Sequence, residues 1–311
     1  MLQEYALEPS LLSRWNDFRF FVGHFGFDRG RLIARYPKRW KRLVYESLTN
    51  CGEIERAKIE EALRRIDDRL VPRRSDTWNG NLDWLTNAEV EHRSRPFWAI
   101  IAQSNPRTHS EVIIGDDVHD ILDWEVLPLN DARRLWRAHH SRIIKRTAKE
   151  MADAIDVFMT QADEILFVDK HFGPENPRHR IPFQEFMLRL DVRPLGKMPT
   201  RMEVHCAKKS ESGFFAAECQ SQLAGMIPDS VKMRLIRWGI DDLHNRFVLT
   251  ELGGIAFLEG LDQCMGHGRE DDVVVLLDKD VATQLMGQFA VGLSRFSLQD
   301  QHEITGTRPR R

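Results

Sequence analysis

The 311 residues carry 45 Lys and Arg against 47 Asp and Glu, a formal net charge of -2, with 42% hydrophobic and 30% charged residues. That balance gives a packed core with a charged surface, and no run approaches the roughly 18 apolar residues of a membrane span. Cys51, Cys206, Cys219 and Cys264 form no close Cys-x-x-Cys pair, and Glu4 and Glu8 interrupt any apolar leader, so a reduced, cytoplasmic chain is expected.

The length predicts two domains, and seven of the eight tryptophans precede residue 137, so the first half has its own core. Residues 1 to about 95 read mainly as helix. Leu11, Trp15, Phe18, Val22 and Phe25 recur at three- and four-residue steps, as do Trp40, Leu43, Val44 and Leu48. Ile54, Ala57, Ile59, Leu63 and Ile66 mark a further helix. Arg35, Lys38, Arg39, Lys41 and Arg42, interleaved with Tyr36 and Trp40, form a basic stretch that could bind nucleic acid by tracking its phosphates and stacking its bases. The same spacing also fits a solvated helix face over a buried aromatic stripe. Residues 97–102 and 111–115 read as short strands, and Asp116, Asp117, His119, Asp120 and Asp123 form an acidic cluster without a specific metal-ligand spacing.

A helix is predicted from Asp131 to about Thr160, with Arg134, Arg142, Lys145, Arg146 and Lys149 on its basic face. From there strand and helix alternate. Glu164 to Val168 is a buried strand ending in Asp169, with His171 in the following loop. Arg178, His179 and Arg180 lie in a Pro- and Arg-rich loop, Pro174 to Pro182, that could flank an anionic ligand. Residues 201–206 and 231–238 are further strands, and His205 shares a face with Glu203. Val273 to Leu277 reads as a strand buried on both faces. Cys264 and His267 have a Cys-x-x-His spacing with no second close pair, so no metal and no cofactor are expected.

The most informative stretch is Leu243 to Asp262. His244 and Arg246 are two residues apart, so an extended chain points both to one side. Glu251 follows at the strand end, before Gly253-Gly254. An imidazole, a guanidinium and a carboxylate within eight residues suit phosphate chemistry.

This spacing resembles the phospholipase D superfamily, whose signature is His, any residue, Lys, four residues, Asp. His244, Arg246 and Glu251 occupy the three positions, with two of the three residue types changed and no Gly-Ser-x-Asn element downstream. With Gly260-Leu261-Asp262, the stretch looks closer to the phospholipase D-like domain at the C-terminus of MIT-domain proteins, a branch associated with phosphoinositide binding. The resemblance implies a metal-independent phosphodiesterase acting on nucleic acid. His244 would be the nucleophile, Arg246 the phosphate clamp and Glu251 the supporting acid, with Asp169, His171, His205 and Asp262 lining the substrate pocket. The alternative it implies is a non-catalytic phosphate-, nucleic-acid- or phosphoinositide-binding module. A single His-x-Arg motif implies a homodimer that pairs two copies of His244. Similar strings in uncharacterised bacterial proteins suggest a nucleic-acid-defence setting, and an anionic membrane lipid or a protein at the N-terminal half are further partners considered.

The expected chain is therefore α+β overall. A mainly helical N-terminal domain (1–130) is followed by a connecting helix (131–160), a phospholipase D-like α/β domain with a central mixed sheet between helices (161–296), and a disordered tail (297–311).

Overall fold

The computed structural model describes residues 2–73, 77–103, 121–123, 138–193, 196–266 and 268–310. The expected strand at 111–115 and Asp116, Asp117, His119 and Asp120 of the acidic cluster lie outside them. The chain divides into two units, Leu2–His139 and His140–Arg311. Among the described residues no helix is long and apolar enough to cross a membrane.

Among the described residues the N-terminal unit is built on five strands, β1 (Gln3–Leu7), β2 (Arg31–Arg35), β3 (Leu70–Pro72), β4 (Ala99–Ala102) and β5 (Ile121–Asp123), with helices α1 (Trp15–His24), α2 (Trp40–Ser47), α3 (Glu53–Arg64) and α4 (Trp84–Ser94). Helical residues outnumber strand residues, as expected, but the organising element is a parallel sheet in the order β3-β2-β1-β4-β5. Parallel neighbours need crossover connections, which put helices on both faces and bury both sides of each strand. Tyr5, Leu7, Ile33, Ala99 and Ile101 face a core with Phe18, Phe21, Trp40 and Leu63, while Ala6, Ala34 and Ile100 face a second cluster with Tyr36, Ala88 and Phe97. Strands of three to five residues that are apolar on both sides carry no alternation, which is why the sequence reads as helix here.

Tyr36 and Trp40 are both buried, and the Trp40 indole N–H donates to Leu7 O at 2.7 Å. They are not available to stack bases. Of the basic stretch, Lys41 pairs with Asp67 at 2.7 Å, Arg42 pairs with Glu46 at 2.8 Å, and Arg39 lies over Trp78. Arg35, Lys38 and Arg39 are exposed. The solvated face over a buried aromatic stripe is what the structure contains.

The C-terminal unit holds one eight-stranded mixed sheet. Its strands are β6 (Ser141–Lys145), β7 (Glu164–Val168), β8 (Arg201–Ala207), β9 (Lys232–Trp238), β10 (Phe247–Thr250), β11 (Gly253–Phe257), β12 (Asp271–Leu277) and β13 (Leu298–Thr305), in the order β13-β9-β8-β7-β10-β11-β12-β6. β7, β8 and β9 run parallel, and the other pairings are antiparallel. Helices α5 (Ala148–Gln161), α6 (Pro177–Leu188), α7 (Ser212–Leu223) and α8 (Lys279–Gln288) accompany it. Strand alternation sorts the core. Leu166, Val168, Ile236, Trp238 and Leu249 pack with Ala282 of α8 and Phe289, whereas Phe167 points the other way, onto Phe183 and Phe186 of α6.

Three expectations change here. The helix expected over 131–160 is a strand, β6, followed by the shorter α5, with residues 131–137 outside the described ones. Ser141–Lys145 pairs antiparallel with Asp271–Val275, and α5 begins only after Thr147, whose hydroxyl accepts from Glu150 N at 3.3 Å. Thr147-x-x-Glu150 is a capping signature that interrupts the helical stripe. β12 is not buried on both faces: its residues alternate, with Val274 and Leu276 inward. The tail expected to be disordered is β13, an added edge strand on β9. Arg308 fastens its end, donating to both carboxylate oxygens of Asp191 at 2.6 and 2.8 Å and to Met226 O at 2.7 Å. At Gly306 a Cβ would stand 2.2 Å from Pro228 O, so the chain can close there only with glycine.

Candidate functional site at one end of the mixed sheet

Strand direction decides which loops meet. β7 and β8 end with Asp169 and Lys208-Lys209, and β10, antiparallel to β7, starts at that same end with Phe247 opposite Val168. His244 and Arg246, just before β10, therefore stand beside the loop after β7. β11 returns there to lead into Leu258–Asp262, and β6 finishes there opposite Asp271 with Arg146 next in the chain. In sheets with parallel strands, ligands gather outside such carboxyl ends.

Asp169 is the tie. Buried, it accepts from His171 N at 2.7 Å on one carboxylate oxygen and from Leu261 N at 2.8 Å on the other, joining the loops after β7 and β11. Gly260 permits this: its φ is +141°, and a Cβ would stand 2.7 Å from Asp262 Oδ1 and 3.2 Å from Asp169 Oδ2. Asp262 accepts from Arg146 Nη2 at 2.7 Å on Oδ1 and from Arg178 Nη2 on Oδ2. Arg146 also donates to Asp262 O and Arg269 O, each at 3.2 Å. His179, on the first turn of α6, lies among these groups. Its ring nitrogen and one carboxylate oxygen each of Asp169 and Asp262 all fall within 4.8 Å of one another.

The outer part of the site is cationic. The His171 Nδ1 accepts from Lys209 Nζ at 2.7 Å. Burial first, and then the Lys209 charge, push the His171 pKa below the usual imidazole value, and Arg246 is near enough to add to this. Burial likewise lowers the pKa of Lys209. Arg246 is half-buried and donates to His244 O at 3.3 Å, while its Nε is buried with no partner among the described residues. Arg146 Nε and Arg178 Nε are buried in the same condition. Buried donors of this kind point to a site shaped for a polar ligand or ordered water.

Asp169, His171, Asp262, His244 and Arg246 thus share one end of the sheet. Glu251 and His205 do not share the site. Glu251 follows the far end of β10, roughly 20 Å along the chain from His244 at strand spacing. There it accepts from Asp163 N at 2.7 Å and Glu164 N at 2.8 Å, capping the start of β7, so it cannot orient the His244 ring. The His205 side chain is fully buried between Trp238 and Phe289, its Nε2 bonded to Glu203 at 3.1 Å and its Nδ1 accepting from Trp238 Nε1 at 3.0 Å. Glu251→Ala should therefore cost about 1 kcal/mol of stability by leaving two strand-end amides unmet, and leave any phosphate affinity at the far loops unchanged. Paired urea titrations and ligand titrations check both halves.

Arg146 and Lys209 were not legible as site residues. Arg146 was hidden by the long-helix reading, and Lys209 carries no motif. Arg178 and His179 did stand out as a basic loop, and Arg180 with them, but Arg180 turns away to Gln222 at 2.6 Å.

No family model matches this chain, and no curated protein matches it. Among solved structures, this chain is similar to TrmBL2, an archaeal chromatin protein described as showing a novel mode of DNA binding, at 12% identity and a TM-score of 0.29 over 51% of this chain and 55% of that one. This chain thus spans little more than half of that protein's length. It is also similar to Nuc from Salmonella typhimurium, a phospholipase D family member, at 10% identity and a TM-score of 0.32 over 51% of this chain and 98% of that one. Likenesses this weak carry no argument about fold or function, so the reading below rests on the site itself.

Proposed function

We propose that the C-terminal unit is a phospholipase D-like phosphodiester-binding domain, with Arg246 holding the phosphate oxygens. The observation that carries this is the buried Nε of Arg246, which has no partner among the described residues, set beside His244 at the sheet end where Lys209 adds positive charge. A guanidinium keeps its charge at every accessible pH and presents paired donors that match two phosphate oxygens. Glu251 lies at the other end of β10, and among the described residues the exposed His244 has no carboxylate partner, which favours binding over turnover.

The test is affinity. Single-stranded DNA, RNA and phosphoinositide-bearing vesicles are titrated against the protein and Arg246→Ala. A lost charge-assisted contact is worth about 2 kcal/mol, so the variant should bind roughly thirtyfold more weakly with an unchanged melting temperature. Equal affinity of variant and wild type for all three ligands removes the proposal.

A second reading, hydrolysis through a phosphohistidine at His244, is supported by the place of His171, which puts a second imidazole at the same sheet end within one subunit. The homodimer expected from a single motif belongs to this reading only if His171 is dispensable. Release of nitrophenol from bis(p-nitrophenyl) phosphate in the presence of chelator, lost in His244→Ala, supports hydrolysis. Equal background rates for both proteins end it.

A further inference from the structure

We propose that Asp169, His179 and Asp262 form a binding site for one divalent transition ion, Zn2+ or Mn2+ in class. The three donors converge from separate loops, with their ligand atoms within 4.8 Å of one another. Donors bound to a common ion at about 2.1 Å stand roughly 3–4.2 Å apart, so a small contraction completes the set. The independent observation is His179. It is 6% exposed, and neither ring nitrogen has a hydrogen-bond partner among the described residues. An imidazole taken out of water this way is disfavoured unless something else meets a nitrogen. Mixed imidazole and carboxylate donors select borderline ions over Mg2+, which prefers oxygen alone.

The surrounding charges define how the site works. Among the described residues Asp169 is bonded only to backbone amides, so its charge has no hydrogen-bonded cation there. Asp262 is shared by Arg146, which is buried, and Arg178, whose side chain is 43% exposed. Arg178 is the displaceable partner. An incoming ion takes the Asp262 oxygen that Arg178 holds, and Arg178 swings into solvent. Ion and guanidinium thus compete for one carboxylate.

The experiment uses the full chain without a histidine tag, stripped with chelator, and titrates Zn2+, Mn2+ and Mg2+ by calorimetry, with elemental analysis of the dialysed protein. One Zn2+ or Mn2+ per chain is expected, with Mg2+ at least tenfold weaker. His179→Ala and Asp169→Asn should each weaken binding tenfold or more. Arg178→Ala should tighten it three- to tenfold, a gain that misfolding cannot produce. Absence of stoichiometric binding by the wild type, binding unaltered by the His179 and Asp169 changes, or Arg178→Ala binding no tighter than wild type, each overturns the site. The readout is metal binding alone, so it is independent of the phosphate titration.

Discussion

Replacing Asp262 by alanine is expected to destabilise the C-terminal unit by about 3–5 kcal/mol. The Arg146 side chain is only 5% exposed and its charge is met by the Asp262 carboxylate. Removing the carboxylate leaves a guanidinium in the interior with an Nε that already lacks a partner. Arg178 loses the same acceptor but can turn to water, so the main cost falls on Arg146. Asp262→Asn keeps the shape and should cost less than the alanine change. Urea unfolding of the three proteins checks the order, and a loss below 1 kcal/mol for alanine would show that Arg146 finds another acceptor.

Glu203→Ala should cost about 3 kcal/mol, again through stranded partners. The Glu203 side chain is fully buried and accepts from Arg201 at 2.7 Å, Arg234 at 2.9 Å and His205 at 3.1 Å. Burial alone would raise its pKa; the bonds to His205 and Arg201 outweigh that and hold it down at about 2, against an ordinary value of 4.5. A carboxylate whose folded pKa is depressed contributes stability above its unfolded pKa and loses it on acidification. That contribution is therefore complete above about pH 4.5 and disappears as the pH falls toward 2. Stability of wild type and Glu203→Ala measured from pH 6 to pH 2 should converge at the acid end. A constant gap between the two curves contradicts this assignment.

The parts of the fold legible from sequence were those with long, regular signals. Polar and apolar residues alternate from Arg201 to Cys206 in β8 and from Lys232 to Leu235 in β9, and the His244–Arg246 spacing marked the sheet end where the candidate site lies. The same motif misplaced Glu251, because spacing along a strand says which face a residue takes but not which end of the sheet its neighbours occupy. Arg146 was unreadable for a related reason. Its meaning comes from β6 joining the far edge of the sheet, a pairing with residues 271–275 that no local pattern encodes. The resemblance implies Asp169 and Asp262 as substrate-pocket residues. Their partners, Leu261 N and the Arg146 and Arg178 guanidiniums, depend on three loops arriving together.

The two margins of the eight-stranded sheet, β6 and β13, are also the first and last strands of its unit. During synthesis the central strands must therefore wait with one flank open until residues 298–305 emerge. Over that interval the backbone groups of β9 are offered to any neighbouring chain, a hazard for self-association. Arg308 and its grip on Asp191 shut that window.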